Sequence, residues 1–430
     1  MIKYCKRCLY PSNSKPTIIF DDEGICSGCR YHENRKNLEI NWDERKKILD
    51  KIIDDAIKFA KKNNNSYHCI IPVSGGKDST FQVWYLKKNY GINPLLVSFN
   101  HCFNTRAGNA NLKNLLEKSG CDFIRFTAGI NSVRKISRYM LEKVGDITWH
   151  YHAGIRTFPM KIAAEKRIPL VIWGEHGFGE LTGLVSINDF VEYTKWSRLE
   201  HDMRGVEAET LIGHNDIQIE DIDPYRFPDD KEVINLGLRG IYLGNFIDWD
   251  QKKNTEIVQR EWNFKSIRYK RDRTFNLFAK IEDHANDIHD YMKFLKFGYG
   301  RATDDVSMEI RRGRITREEG KKIVEEYDHK EPSALENYCE FLGITKNHFY
   351  KILDTQRDET IWKKNENKWI KKTSFENEKI DSSYDKAKVK MSNDHVFNEK
   401  NKNMFYNSKN TPELLNDENF DKQITNFEII

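Results

Sequence analysis

Six consecutive residues of the sequence combine the side chains and the backbone flexibility that a phosphate site needs: Ser74, Gly75, Gly76, Lys77, Asp78 and Ser79. They follow the apolar segment 69–73 and precede a segment with helical periodicity. The two glycines let the backbone approach a phosphate closely, and a helix start offers free N–H groups and a positive dipole end. The Walker A spacing G-x-x-x-x-G-K-[ST] is absent. The pattern predicts a phosphate-binding loop rather than an ordinary strand-to-helix turn, with Lys77 and Asp78 as catalytic candidates.

Polar residues follow two other apolar segments in the same way. Asn100 comes after 94–99, and Gly174 and Glu175 come after 169–173. Because open α/β sheets bind ligands at the carboxyl ends of their strands, we expect Asn100 on the adenine side of a nucleotide and Gly174 and Glu175 at the same site. Glu175 would help to hold Mg²⁺ or to position a substrate. A capped turn is an equally good interpretation of this segment.

Four cysteines near the start of the chain form two C-x-x-C pairs. Cys5 and Cys8 are separated by residues 9–25 from Cys26 and Cys29, a spacing typical of a structural zinc site. An iron–sulfur cluster and a sulfur-relay pair are the alternatives. Cys26 also lies in a G-x-C-x-G pattern, the nucleophile turn of one glutaminase class, but a glutaminase domain does not fit before the phosphate loop. We therefore predict a four-cysteine site for Zn²⁺.

Short apolar segments alternate with helical ones from residue 68 onwards. Predicted strands at 69–73, 94–99, 122–126 and 169–173, with a possible fifth at 241–246, are separated by predicted helices. This alternation predicts parallel strands joined by right-handed crossovers, and hence a Rossmann-like, doubly wound α/β sheet.

The chain divides into five predicted parts. Residues 1–40 form a zinc-ribbon-like module, 41–66 a linking helix, 67–262 the α/β domain with an insertion, and 263–355 a helical substrate-binding region. Thr316 and Glu319 have the spacing of a capping box that begins a helix. Residues 356–430 are rich in Asn, Lys, Asp and Glu and are predicted to be a disordered or loosely docked polar tail.

Composition excludes few classes of function. The chain has 430 residues, a hydrophobic fraction of 38% and a formal net charge of +4. The mean hydropathy is -0.74. This charge gives no global argument for binding nucleic acid. The sequence has neither a signal peptide nor a long apolar span, so a cytoplasmic location without a membrane partner is the default expectation.

The stretch 293–305 places glycines, cations and carboxylates in one turn-forming segment. Lys296 and Arg301 are the candidates for binding an anionic sugar nucleotide, since a guanidinium can grip phosphate or carboxylate with two hydrogen bonds. A solvated connection between helices is the alternative.

Taken together, these motifs resemble the N-acetyl sugar amidotransferases of bacterial surface-polysaccharide synthesis, a family with the PP-loop of ATP pyrophosphatases. The resemblance covers about residues 1–350. It also includes the segments Trp149-His150-Tyr151-His152-Ala153-Gly154 and Tyr242-Leu243-Gly244-Asn245-Phe246.

The resemblance implies conversion of an acetamido group on a sugar to an acetamidino group. The amide oxygen would attack the α-phosphate of ATP, pyrophosphate would leave, and ammonia would then displace AMP. ATP and Mg²⁺ are the implied cofactors, and separate glutaminase and cyclase-like subunits would supply ammonia. His152 is a candidate for proton transfer, although a buried, hydrogen-bonded histidine is more common. The sugar, its nucleotide carrier and the oligomeric state stay open.

Two other functions compete with this interpretation. A PP-loop tRNA thiolase also adenylates a carbonyl oxygen, and the basic run 260–273 with interleaved aromatic residues is compatible with RNA. The segment 333–356 predicts two helices around a tight turn, as in DNA-binding regulators. Both are weaker predictions, because such runs are usually solvated and such helix pairs are usually packed.

Overall fold

The computed structural model describes residues 2–15, 17–37, 40–185, 188–366, 368–372 and 375. Residues 376–430, most of the predicted polar tail, lie outside the described residues. Within these ranges no helix has the length and apolar character that crossing a membrane requires.

A five-stranded sheet organises the fold, and its strands are all parallel in the order β3-β2-β1-β4-β5. The prediction of a doubly wound α/β fold is confirmed. Four strands lie where the sequence predicts them, but the fifth ends earlier, since residues 243–245 turn into a 3-10 helix. The strands are β1 Cys69–Pro72, β2 Pro94–Phe99, β3 Phe123–Phe126, β4 Leu170–Trp173 and β5 Arg239–Tyr242.

Helices cover both faces of this sheet, because successive strand residues point to opposite sides. Ile71 and Leu96 belong to one core and Ile70 and Val97 to the other. The first core is covered by α2 Trp42–Lys62, α3 Lys77–Tyr90, α4 Arg106–Ser119 and α10 Gln251–Trp262. The second is covered by α5 Ile130–Val144, α6 Trp149–Glu165 and α9 Asp230–Leu236.

The remaining elements surround the carboxyl edge of the sheet. The N-terminal segment that carries the four cysteines contributes α1 Ser27–Asn37, and the insertion before β5 contains the short helices α7 Lys195–Ser197 and α8 Ile219–Ile222. The predicted capping box at Thr316 is present. The helical region comprises α11 Ala285–Phe297, α12 Arg301–Arg311, α13 Arg317–Tyr327, α14 Leu335–Leu342 and α15 Lys346–Asp354.

A hairpin of β6 Trp362–Asn365 and β7 Lys368–Lys371 follows the helical region. The Trp362 ring lies edge-on to Phe294 with 5.6 Å between centroids, and Ile361 is fully buried. The prediction of a disordered or loosely docked tail is therefore wrong for the first residues after 356. Trp362 of the hairpin packs on Phe294 of α11, which the lysine-rich composition does not reveal.

Candidate active site

The predicted phosphate loop connects β1 to α3 and carries the expected backbone geometry. Gly75 has a φ of +86°, and a Cβ there would lie 2.4 Å from the carbonyl oxygen of Gly108. The Gly76 N–H donates to Ser74 Oγ at 3.2 Å, and Ser79 Oγ donates to the Gly76 carbonyl at 3.1 Å. Glycine is thus required at position 75 by both conformation and space. This strand, loop and helix form a glycine turn at a helix start, a geometry that can hold a phosphate.

Three carboxylates surround the Lys77 ammonium. Asp78 forms an ion pair with it, and Glu175 and Glu282 are also near. Burial lowers the pKa of Lys77, but these carboxylates outweigh burial and raise it above its usual value. Burial and the neighbouring Asp78 raise the pKa of Glu175 to about 7. Lys77 is therefore charged but already neutralised by its neighbour.

A cavity of about 260 Å³ lies at the carboxyl edge of β1, β2 and β4. Ser74, Asp78 and Ser79 line its polar end. Apolar and aromatic side chains form about half of the remaining wall, among them Val73, Phe99, Tyr151, Ile155, Pro159 and Trp173. A phosphate loop beside apolar side chains suits a nucleotide, whose base is flat and apolar and whose phosphates are charged.

A second cavity of about 250 Å³ lies between the phosphate loop and the helical region. Its wall is strongly polar and includes Lys15, Arg204, Lys293, Arg301 and Asp304. Four residues line both cavities: Asp78, His152, Glu175 and Lys280. The two cavities therefore meet at these four side chains.

Two residues predicted as ligands, Asn100 and Lys296, are engaged elsewhere in the structure. Asn100 does not line either cavity, since its amide bonds Thr127, Asn104 and Arg125. Its neighbours Phe99 and His101 face the nucleotide cavity instead.

The Lys296 ammonium donates to the carbonyls of Val144 at 3.2 Å and Gly145 at 2.7 Å, where it caps α5. Lys296 is thus a structural residue, and its prediction as a substrate ligand is corrected.

Arg301 lines the second cavity as predicted, but its guanidinium is engaged. It donates two hydrogen bonds to Asp290, at 2.8 and 3.0 Å, and lies 3.2 Å from Asp304. Burial alone would lower the pKa of Arg301, whereas these carboxylates raise it well above its usual value. Arg301 is therefore permanently charged, and it holds α11 and α12 together at the cavity wall.

His152 belongs to a hydrogen-bonded group beside the second cavity. Thr148 Oγ1 lies 3.2 Å from His152 Nδ1 and 3.0 Å from His289 Nδ1. Thr148 donates to Asp146, which also accepts from Arg204. Burial and the Arg204 charge lower the pKa of His152 well below its usual value. His152 is therefore neutral at pH 7.

The four predicted metal ligands converge in a buried cluster. The sulfur atoms of Cys5, Cys8, Cys26 and Cys29 all lie within 4.8 Å of one another. Zinc–sulfur bonds of about 2.3 Å in a tetrahedron separate two sulfurs by about 3.8 Å. Cys5 Sγ and Cys29 Sγ are 3.8 Å apart, and Cys8 Sγ and Cys26 Sγ are 3.6 Å apart. The geometry fits a tetrahedral Zn²⁺ ion.

The cysteine-bearing N-terminal segment also forms part of the second cavity. Tyr10 and Lys15 line it, and the Tyr10 hydroxyl donates to Asp304 at 2.8 Å. Arg311, at the end of α12, donates to Cys26 Sγ at 3.5 Å. The cysteine cluster is therefore joined to the wall that carries Arg301.

Sequence reasoning missed Lys280, Glu282 and His289. Glu282 Oε1 accepts from Ser74 Oγ at 3.4 Å, and its Oε2 is buried without a partner among the described residues. These residues precede or begin α11, far from the phosphate loop in sequence. The close succession of Lys280, Glu282 and Asp283 was the available signal, but nothing local shows what such residues face.

Both nucleic-acid interpretations find little support in the packing. Within the basic run, Arg271 and Arg273 are buried and donate to backbone carbonyls, such as Ala279 and Asp328. The two helices of the predicted DNA-binding pair pack into a core with α11, through Tyr338, Leu342, Phe349 and Leu353. Arg271, Arg273 and the helix pair are therefore parts of the scaffold, whereas Arg260, Tyr269 and Lys270 are exposed.

Comparisons with known proteins agree with the resemblance seen in the sequence. Residues 268–375 match the family model described as "LPS biosynthesis protein WbpG-like, C-terminal domain". The match ends at 375, just beyond the hairpin. The match supports the resemblance for this part of the chain, which is similar to that C-terminal domain.

A curated relative is the uncharacterized protein MJ1599 of Methanocaldococcus jannaschii. It is 26% identical over 156 residues, which cover 34% of this chain and 54% of the relative. The chain thus spans about half the length of that relative. Its name gives no activity.

Two solved structures are similar in part. The NH3-dependent NAD synthetase from Campylobacter jejuni has 15% identity and a TM-score of 0.25, over 33% of this chain and 60% of that chain. The NMN synthetase from Francisella tularensis has 11% identity and a TM-score of 0.26, over 52% and 87%. Structural similarities with TM-scores this low do not support an inference about function.

Proposed function

We propose that this protein is an ATP-dependent amidotransferase of polysaccharide biosynthesis, which converts the acetamido group of an N-acetylated sugar to an acetamidino group. One observation carries the proposal. The cavity of the phosphate loop meets a polar cavity walled by the WbpG-like domain, and Asp78, His152, Glu175 and Lys280 line both. Such a junction suits a reaction between ATP and a polar second substrate.

ATP fits the nucleotide cavity with its base between apolar side chains and its phosphates at the loop. Mg²⁺ fits the same end, because Asp78 Oδ1 and Glu282 Oε2 are buried carboxylate oxygens without partners among the described residues. Asp78, Glu175 and Glu282 would hold the ion, and oxygen ligands are those that Mg²⁺ prefers. The ion would offset phosphate charge when bound.

The proposed reaction has two steps. The amide oxygen of the sugar attacks the α-phosphorus of ATP, the bond to the bridging oxygen breaks, and pyrophosphate leaves. Ammonia then attacks the imidoyl carbon of the adenylate and loses a proton, and the carbon–oxygen bond breaks to release AMP. Adenylation supplies the leaving group that an amide lacks, and the loop residues lower the cost of the developing charge.

The neutral His152 is the proposed proton acceptor for the attacking ammonia. It lines both cavities, and its hydrogen bond to Thr148 fixes the ring through Nδ1. His289 lies beside it, with ring centroids 5.3 Å apart. A base near the attacked carbon accelerates such a step.

Ammonia would come from a separate glutaminase with a cyclase-like subunit, as the family resemblance implies. No cysteine is among the described residues that line the two cavities. A glutaminase nucleophile and the sulfur carrier of a tRNA thiolase both require a cysteine near the chemistry. This observation favours an external source of ammonia over the thiolase alternative. A cytoplasmic location is part of the proposal, since ATP is the substrate.

The test is pyrophosphate release from ATP with ammonium present, across a panel of diacetamido sugars and their UDP- and CMP-linked forms. The sugar's mass should change by the replacement of an oxygen atom with an NH group. Lys77→Ala should abolish the reaction, whereas Lys253→Ala, on the exposed face of α10, should preserve it. Pyrophosphate release triggered by tRNA, with every sugar inert, would replace this proposal with the thiolase.

A further inference from the structure

Lys280 is a cation of the active site with no assigned role. It lines both cavities, together with Asp78, His152 and Glu175. Its ammonium has no hydrogen-bond or ion-pair partner in the part of the chain that the structure describes. A cation that faces a cavity without a direct ion pair can bind an anion.

The other cations near this junction are neutralised by fixed carboxylates. Lys77 pairs with Asp78, and Arg156, the other cation of the nucleotide cavity, lies 3.3 Å from Asp202. In the second cavity Lys293 is 2.6 Å from Asp304. Within the described residues, Lys280 is therefore the cation of the nucleotide cavity that no carboxylate holds in a direct ion pair; Asp290 and Asp304 act on it only at longer range.

The backbone of Lys280 is held in place by Arg271. Lys280 has a φ of +50°, in the left-handed region that side chains other than glycine rarely adopt. Arg271 donates to the Ala279 carbonyl at 2.6 Å and to the Lys280 carbonyl at 3.2 Å. A strained backbone persists when its surroundings fix it, and such positions cluster at ligand sites.

The position of Lys280 indicates which phosphate it meets. In the proposed reaction the sugar oxygen attacks the α-phosphorus, so the α-phosphate has to lie where the two cavities meet. Lys280 lines both cavities at that junction, whereas Lys77 lines only the second. We propose that the Lys280 ammonium binds the α-phosphate of ATP and stays with it through adenylation, an inference that rests on the proposed function. Burial lowers the pKa of Lys280 to about 8, which still leaves the amine mostly protonated at pH 7.

The test compares adenosine, AMP and ATP as probes, each titrated with excess Mg²⁺ and no sugar. Lys280→Met should weaken AMP and ATP by a similar factor of about 10- to 100-fold, the usual worth of a hydrogen bond to a charged group. Adenosine affinity should be unchanged, because it lacks the phosphate. Lys253→Met, an exposed lysine of α10, is the matched control and should bind all three probes as the native protein does.

Each outcome decides a different question. Unchanged AMP and ATP affinity in Lys280→Met would overturn the role of Lys280 and leave the proposed function standing. Loss of ATP affinity without loss of AMP affinity would move Lys280 to the pyrophosphate portion and overturn the α-phosphate assignment. If the native protein binds none of the probes, the proposed function and this inference both fall.

A second measurement covers the case in which Lys280→Met does not fold. Acetic anhydride at low dose labels neutral amines, and peptide mass spectrometry reports the labelling of each lysine. AMP should slow the labelling of Lys280 in the native protein more than adenosine does, and the rate at Lys253 should not respond. Equal protection of Lys280 by both ligands would contradict the phosphate contact.

Discussion

Gly108→Ala tests whether the close packing behind the phosphate loop positions the site. Gly108 lies in the first turn of α4, and a Cβ there would lie 2.5 Å from Glu282 Cα, 2.8 Å from Glu282 Cβ and 2.9 Å from the Glu282 carbonyl oxygen. Two of these are backbone atoms, which cannot rotate away. The Gly108 carbonyl also touches Gly75, so the added methyl group would push α4 and the segment of Glu282 apart beside the loop.

The magnitude follows from two opposing terms. Alanine is a better helix former than glycine by about 1 kcal/mol. Overpacking costs about 1–3 kcal/mol, and three contacts below 3.0 Å place this site at the upper end. We expect a net destabilisation of about 2 kcal/mol, or roughly 2–4 °C in the midpoint of thermal unfolding for a chain of this size. ATP affinity should also fall, because Glu282 bonds Ser74 in the loop.

The assay pairs thermal unfolding with titration of ATP. Asn109→Ala is the matched control, since Asn109 is exposed on the same turn and the substitution adds helix propensity without a clash. It should stabilise the protein by roughly a few tenths of a kcal/mol and leave ATP affinity unchanged. A Gly108→Ala protein as stable as Asn109→Ala, with native ATP affinity, would refute this account of the loop.

Three further changes separate the parts of the site. Lys296→Met should destabilise the protein by about 1–3 kcal/mol, since the Val144 and Gly145 carbonyls lose their donor, while the KM for sugar stays the same. Affinity for ATP with Mg²⁺ should rise from pH 6 to pH 8 as Glu175, whose pKa is about 7, ionises; Glu175→Gln should lose this dependence. Cys29→Ser should lose bound zinc in elemental analysis, raise the KM for sugar and leave ATP affinity intact, because Tyr10 lines only the second cavity.

Each of these three predictions has an outcome that would contradict it. A raised KM for the sugar in Lys296→Met would indicate that Lys296 binds the substrate. A pH profile shared by the native protein and Glu175→Gln would assign the titration to another group. Loss of ATP affinity in zinc-free protein, in parallel with loss of sugar binding, would mean that the module supports the whole fold rather than one cavity.

The amino-acid sequence by itself determined the features that are local in the chain. Parallel strands are buried on both faces, so they read as continuous apolar segments, and this made the sheet predictable. The phosphate loop and the cysteine pairs need residues only a few positions apart. The hairpin 362–371 escaped prediction because its strands are short and mostly charged, with only their tryptophans and isoleucine to mark them.

Tertiary structure alone decided which charged groups face the substrates. Lys296 and Arg301 are cations only five positions apart, yet packing gives Lys296 the carbonyls at the end of α5 and Arg301 the carboxylates of Asp290 and Asp304. Lys280 and Glu282 reach the phosphate loop from about 200 residues away along the chain. A charged side chain is available to a ligand only if no oppositely charged side chain of the protein pairs with it. Those partner side chains come from segments that are distant in the sequence. That is why the chemistry of the loop could be predicted from the sequence, and the identity of the free cation could not.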